Sequence, residues 1–193
     1  VEKDVLDKAL PPGTVHQGLA LHCGRLTEYG LDDLLIRAKD KEQSLLVILD
    51  QVTDPHNMGA ILRSACAFGA DGLIVQKRHA PELEGPAGAI IAKTACGALE
   101  HTPIAYETNL SRSIEALQEA GYFVYGLDER GEDMPASPPA KAVLVLGAEG
   151  DGLRHLVKEK CDVLVKLPTQ GPIASLNVSN AAAVALYAFS SRV

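Results

Sequence analysis

Apolar residues along the chain fall into short unbroken runs, and the segments between those runs carry apolar positions at helical spacing. The runs predict strands at residues 18–22, 45–49, 72–75, 122–127, 142–146 and 163–167. Helical patterns cover residues 31–39, 58–68, 86–96, 110–120, 153–159 and 176–190. Strands that are apolar throughout, alternating with helices, predict an α/β fold: a mostly parallel sheet with helices on both faces. Residues 1–10 read as a short helix that Pro11-Pro12-Gly13 breaks. Residues 129–139 are polar and carry three prolines, which predicts a surface loop. Ligands of such sheets bind beyond the carboxyl ends of the strands. The loops at residues 50–57, 147–152 and 168–175 each follow a different strand and are placed to converge there.

A length of 193 residues with 47% hydrophobic content suits one packed domain with a short appendage. No apolar run is long enough to span a bilayer, and the first residues do not read as a signal peptide. Cys23, Cys66, Cys96 and Cys161 are scattered, without metal-type spacing, and the histidines form no H-x-x-x-H pair. They read as thiols of a reduced, cytoplasmic protein with no metal. The net charge of -7 argues against a strong stand-alone nucleic-acid binder. It leaves room for a local basic patch, with Arg63 and the run Lys77-Arg78-His79 as candidates, although that run also reads as an ordinary solvated loop. No Trp and 4% aromatics disfavour a sheet that stacks bases.

The three loops carry the candidate chemistry. In the first, Asn57 stands where a helix begins, Gly59 follows, and Arg63 lies off the buried stripe of Ile61, Ala65 and Phe68. Gly59 and Ala67 lie one turn either side of Arg63 and are small, which suggests room for a phosphate or carboxylate at the guanidinium. The alternatives are a surface arginine paired with an acid, and Asn57 as a plain helix cap. His56 is either a general base or a turn residue beside Pro55. In the second, an apolar strand runs into Gly147-Ala148-Glu149-Gly150-Asp151-Gly152. The glycines allow close backbone approach, and Glu149 is placed either to accept hydrogen bonds from a ligand or to cap the next helix. The spacing G-x-x-G-x-G is not that of a classical dinucleotide fold. In the third, Leu167 and Pro168 lead through Gly171-Pro172 to Ser175, Leu176, Asn177 and Ser179, which open an alanine-rich helix. Capping is the structural alternative for these polar residues.

Together the loops resemble the SpoU (TrmH-type) branch of the SPOUT RNA methyltransferases. The matching elements are N-x-G-x-x-x-R at Asn57, Gly59 and Arg63, then G-x-E-G-x-G at Gly147, Glu149, Gly150 and Gly152, then S-L-N-V-S from Ser175 to Ser179. The GPIASLNVSNAA form and the run Gly97-Ala98-Leu99-Glu100-His101 are most similar to the bacterial 23S rRNA guanosine 2′-O-methyltransferases.

The resemblance implies a deep trefoil knot at the C-terminal end, and S-adenosylmethionine held by Gly147, Glu149, Gly150, Leu167, Pro168, Ser175, Leu176 and Asn177. It also implies a homodimer, an RNA substrate, and catalysis served by Arg63, Asn57, Glu149, Ser175 and Asn177. Residues 1–17 would then be a linker from an N-terminal RNA-binding domain, and residues 18–193 the catalytic domain. The expected reaction is methylation of a ribose 2′-hydroxyl, on a guanosine of 23S rRNA. The alternatives are a tRNA ribose methyltransferase and a non-catalytic RNA-binding module. Asn180 and Thr169 depart from the common apolar residue and Met at their positions, and neither removes a motif residue.

Overall fold

The computed structural model of the chain describes residues 2–20, 24–172 and 175–190. Its strands are β1 (Ser44–Leu49), β2 (Gly72–Gln76), β3 (Ile104–Glu107), β4 (Phe123–Asp133), β5 (Lys141–Leu146) and β6 (Val163–Lys166). They form one sheet in the order β3-β2-β1-β5-β4-β6, and every strand pairing among the described residues is parallel. The helices are α1 (Lys3–Ala9), α2 (Leu31–Ala38), α3 (Pro55–Ala67), α4 (Gly85–Ala95), α5 (Leu110–Glu119), α6 (His155–Lys160) and α7 (Val178–Ser190).

β1 shows why the sheet needs cover on both sides. All six of its residues are buried, and successive side chains point to opposite faces. Leu45, Val47 and Leu49 join a core with Ile61 of α3, Ile91 of α4 and Leu186 of α7. Leu46 and Ile48 join a second core with Leu34 of α2, Ile114 of α5 and Val157 of α6. Burying each such side chain contributes about 1.5–3 kcal/mol. On α7, Val178, Ala182, Leu186 and Phe189 recur at helical spacing and are all buried.

The strand order locates the site. From β1 the chain moves outward to β2 and β3, then crosses to the other half of the sheet, where β5 lies directly beside β1. The order therefore reverses between β1 and β5, and a crevice beyond their carboxyl ends is where such sheets take ligands.

Four expectations need correction. Residues 18–20 are not strand, because Gln17 and Gly18 both have positive φ and turn the chain there; residues 21 and 22 of that run lie outside the described residues. The Ile104–Glu107 strand is not predicted by the pattern, because its short, half-polar sequence Ile-Ala-Tyr-Glu lacks an apolar run. Residues 129–133 continue β4 instead of forming a loop. A register shift between Leu127 and Glu132 absorbs the polar residues and returns Asp133 to pairing with Lys166, so the prolines fall beyond the strand end. Residues 153 and 154 precede α6, with Arg154 as its cap.

Cys161 is half-buried beside Leu153 and Leu164, and burial first, then Asp162 and Asp50, push its thiol up to about 12. The thiol is therefore protonated at pH 8. Iodoacetamide at that pH is expected to leave Cys161 of the folded protein unmodified while labelling exposed Cys96, as read by peptide mass mapping.

Candidate active site

α3 begins where Pro55 supplies the first helical residue and the Asp54 carboxylate accepts from the backbone N–H groups of His56 and Asn57. Asp54 is thus the cap, not Asn57, and the Asn57 side chain is left for other contacts. His56 is exposed, and only its backbone N–H is bonded at this turn.

After β5 the chain makes a tight loop closed by paired bonds, Ala148 N–H to Gly152 O at 3.1 Å and Gly152 N–H to Ala148 O at 3.0 Å. Gly147 must be glycine here, since a Cβ would stand 2.2 Å from the Gly152 carbonyl carbon. Gly152 itself sits at φ +67, in the left-handed region. The loop is tied down from below by Asp50 at the end of β1, whose side chain is fully buried. Arg154 donates to it from its backbone N–H at 2.9 Å and from Nε at 2.7 Å. No sequence pattern predicts this pair, because 104 positions separate its members. An Arg154→Leu substitution would leave the Asp50 carboxylate buried with its ion pair gone, and is expected to remove about 3 kcal/mol of stability in urea unfolding.

The third loop meets the first two. Asn177 accepts on Oδ1 from the Ser179 backbone N–H at 2.8 Å and from Ser179 Oγ at 2.6 Å, which caps α7 and fixes the amide. Its Nδ2 then donates to Asn57 Oδ1 at 3.1 Å and to Glu149 Oε1. Asn57 Nδ2 donates to the same Glu149 oxygen at 3.2 Å. Three side chains, from the first turn of α3 and from the segments after β5 and β6, form a closed ring, so Glu149 accepts hydrogen bonds here and does not cap α6. The ring can present fixed amide and carboxylate groups to a polar ligand.

Beside the ring lies a cleft of about 670 Å³, walled by the 147–152 loop, by Leu167, Pro168 and Thr169, and by Ser175 and Leu176. Gly147, Glu149, Gly150, Leu167, Pro168, Ser175 and Leu176 all line it; Asn177, Asn57 and Arg63 do not. The fourth wall, residues 127–130 of β4, escaped sequence reading because its polar residues blend into the proline-rich tract. Within it Asp128 pairs with Lys158 of α6 and accepts from the Arg130 backbone N–H at 3.0 Å. The Lys158 hydrogen bond, assisted by Arg130 and opposed by burial, holds the Asp128 carboxyl below its usual range.

Arg63 is exposed and lies six residues beyond Asn57, about 9 Å along the helix axis. Its one side-chain hydrogen bond among the described residues is from Nη1 to Cys96 Sγ at 3.5 Å. Gly59 does not leave space beside it. A Cβ at Gly59 would stand 2.8 Å from Thr94 Cβ, so the room expected there is filled by α4. Lys77, Arg78 and His79 form an exposed turn after β2, at the same end of the sheet. No helix of the described residues is long and apolar enough to cross a membrane.

The SpoU rRNA Methylase family model matches residues 44–187. The 23S rRNA (guanosine-2'-O-)-methyltransferase RlmB of Vibrio cholerae serotype O1 is 45% identical over 186 residues, covering 94% of this chain and 72% of that protein. YacO of Bacillus subtilis, named for the TrmH family, is 43% identical over 177 residues, covering 89% of this chain and 69% of YacO. Among solved structures, the SpoU methyltransferase AviRb from Streptomyces viridochromogenes, in complex with AdoMet, aligns with TM-score 0.66 at 34% identity over 77% of this chain. An AdoMet-bound rRNA methyltransferase from Sinorhizobium meliloti aligns with TM-score 0.71 at 28% identity over 84% of this chain. The chain spans 57% and 60% of those two solved chains.

Proposed function

This chain belongs to the SpoU rRNA methylase family, and we propose that it transfers a methyl group from S-adenosylmethionine to a ribose 2′-hydroxyl of RNA, on a guanosine of 23S rRNA. The observation that carries this reading is the ring of Asn57, Glu149 and Asn177 at the edge of the cleft. Each member comes from a different motif. The AdoMet complexes of AviRb and the Sinorhizobium meliloti enzyme, and the guanosine specificity in the name of the Vibrio cholerae relative, support it.

The cleft suits the cofactor. Its size lies within the range of about 300–1,000 Å³ typical of small-molecule sites. Asp128, Glu129, Asp133, Glu149 and Asp151 outnumber Arg130, Lys158 and Lys166 in its walls, which favours a ligand carrying positive sulfonium and ammonium groups. Gly147, Glu149, Gly150, Leu167, Pro168, Ser175 and Leu176 would hold it, with Asn177 behind the loop, in a C-terminal segment that this reading takes to be knotted. When bound, S-adenosylmethionine supplies a methyl group already activated on sulfur.

The protein's task is then to place the hydroxyl in line and to let its proton pass to the Glu149 carboxylate of the ring or to solvent. Asn57, Glu149 and Asn177 orient the 2′-oxygen, with Ser175 at the cleft side. Arg63 forks its guanidinium onto the neighbouring phosphate. The exposed Lys77-Arg78-His79 turn adds positive charge along the RNA path. In this reading residues 18–193 are the catalytic unit, preceded by a linker at 1–17, and the protein works in the cytoplasm without a metal. A second copy would cover the face of α7 that exposes Val184 and Tyr187.

Calorimetry with S-adenosylmethionine and S-adenosylhomocysteine tests the site. Saturable binding that weakens in Asn177→Ala is the expected result. A folded protein that binds neither ligand would leave the non-catalytic RNA-binding reading in its place.

A further inference from the structure

The motif on α3 holds three residues, and the structure connects the second to the third. Gly59 lies one helical turn before Arg63 on the same face. It is buried, and a Cβ there would meet Thr94 Cβ at 2.8 Å and the Ile91 carbonyl oxygen at 2.9 Å. At this point α3 and α4 approach to backbone contact. One turn further along α3, α4 has reached its end. Its cap is Cys96, held at φ 50 and ψ 45, a left-handed conformation that glycine would adopt without cost. The side chain retained there is the one that touches the arginine: Arg63 Nη1 donates to Cys96 Sγ at 3.5 Å, and the thiol lies 3.4 Å from the Lys93 carbonyl oxygen. The guanidinium therefore rests at the C-terminal turn of α4, where unpaired carbonyls favour a cation. Arg63 forms no ion pair among the described residues.

We infer that Cys96 is a positioning residue for Arg63. The Gly59 contact sets the distance between α3 and α4, and the Cys96 sulfur then holds the guanidinium in the direction from which it meets the RNA phosphate. This rests on the proposed role of Arg63. It also gives Gly59 a purpose within the motif: the glycine brings α4 close enough for its last residue to reach the arginine.

The test compares Cys96→Ala, Cys96→Ser and Cys96→Gly, in the wild-type and Arg63→Ala backgrounds, by kcat/KM on a 23S rRNA fragment, RNA Kd, S-adenosylmethionine Kd and Tm. Cys96→Ala is expected to lower kcat/KM about tenfold, as a small misplacement of a binding group does, with cofactor Kd unchanged. Cys96→Ser, whose oxygen takes the same donor, should stay within about twofold of wild type. Cys96→Gly relieves the left-handed backbone, so its Tm should rise while its kcat/KM falls with that of Cys96→Ala; a residue that merely fills space would not separate the two. In the Arg63→Ala background the Cys96 substitutions should change neither kcat/KM nor RNA Kd further. Wild-type kcat/KM in both Cys96→Ala and Cys96→Gly, or an undiminished loss in the Arg63→Ala background, overturns the inference. If Arg63→Ala is itself harmless, the role given to Arg63 falls and this inference falls with it. If Arg63→Ala is damaging and Cys96→Ala harmless, only this inference falls.

Discussion

Arg63→Ala is expected to lower the turnover of methyl transfer by at least about a hundredfold, the usual effect of removing a charged group aimed at a reacting centre. S-adenosylmethionine affinity should stay within about twofold, because Arg63 does not line the cleft. The fold should be unaffected, since the side chain is exposed and its one side-chain partner among the described residues is a cysteine sulfur. Arg63→Lys should recover little, because an ammonium cannot fork onto a phosphate. Single-turnover methylation and calorimetry on the same preparations separate the two effects. Near-normal turnover with intact cofactor binding would remove Arg63 from the reaction.

The second large effect is expected at Gly147. A Cβ there would stand 2.2 Å from the Gly152 carbonyl carbon and 2.4 Å from Leu153 N, both backbone atoms. No side-chain rotation relieves such a contact, so the loop must open. Opening it breaks the Ala148–Gly152 pairing and moves Glu149 away from Asn57 and Asn177. Gly147→Ala is therefore expected to weaken S-adenosylmethionine binding at least about a hundredfold and to cost about 1–3 kcal/mol of stability. Gly150→Ala is the control. Its φ is +85 but no protein atom would meet its Cβ, so it should cost only about 1 kcal/mol of stability in backbone strain. Similar losses for both substitutions would mean that backbone strain, not close approach, governs this loop.

The sheet is legible because strands buried on both faces need unbroken apolar runs, and β1, β5 and β2 carry them at residues 45–49, 142–146 and 72–75. β3 was not, since a four-residue strand with Tyr and Glu carries too little pattern. The far end of β4 was hidden by its register shift: polar residues that bulge between Leu127 and Glu132 read as loop when pairing is out of view. Within the site, the polar residues of the three loops were legible because the parallel order sends all strand ends to one side. Their partners were less so. Asn57 and the 175–179 segment each read equally well as a helix cap, and only the structure gives capping of α3 to Asp54 while Asn177 caps α7 and still joins the ring. Gly59 shows the opposite error. A small residue beside Arg63 reads as space for a ligand, yet it is small because another helix occupies that space. The Asp50–Arg154 pair could not be read at all, because a buried carboxylate looks like any loop acid until its distant partner is placed.

Methyl transfer to RNA is read by incubating the protein with unmodified 23S rRNA and S-adenosylmethionine labelled in its methyl group, then mapping the labelled nucleotide by mass spectrometry. One 2′-O-methylguanosine is the expected product, formed at least about a hundredfold more slowly by Arg63→Ala. Label on a base, or no transfer to 23S rRNA or tRNA by a protein that binds the cofactor, would contradict it.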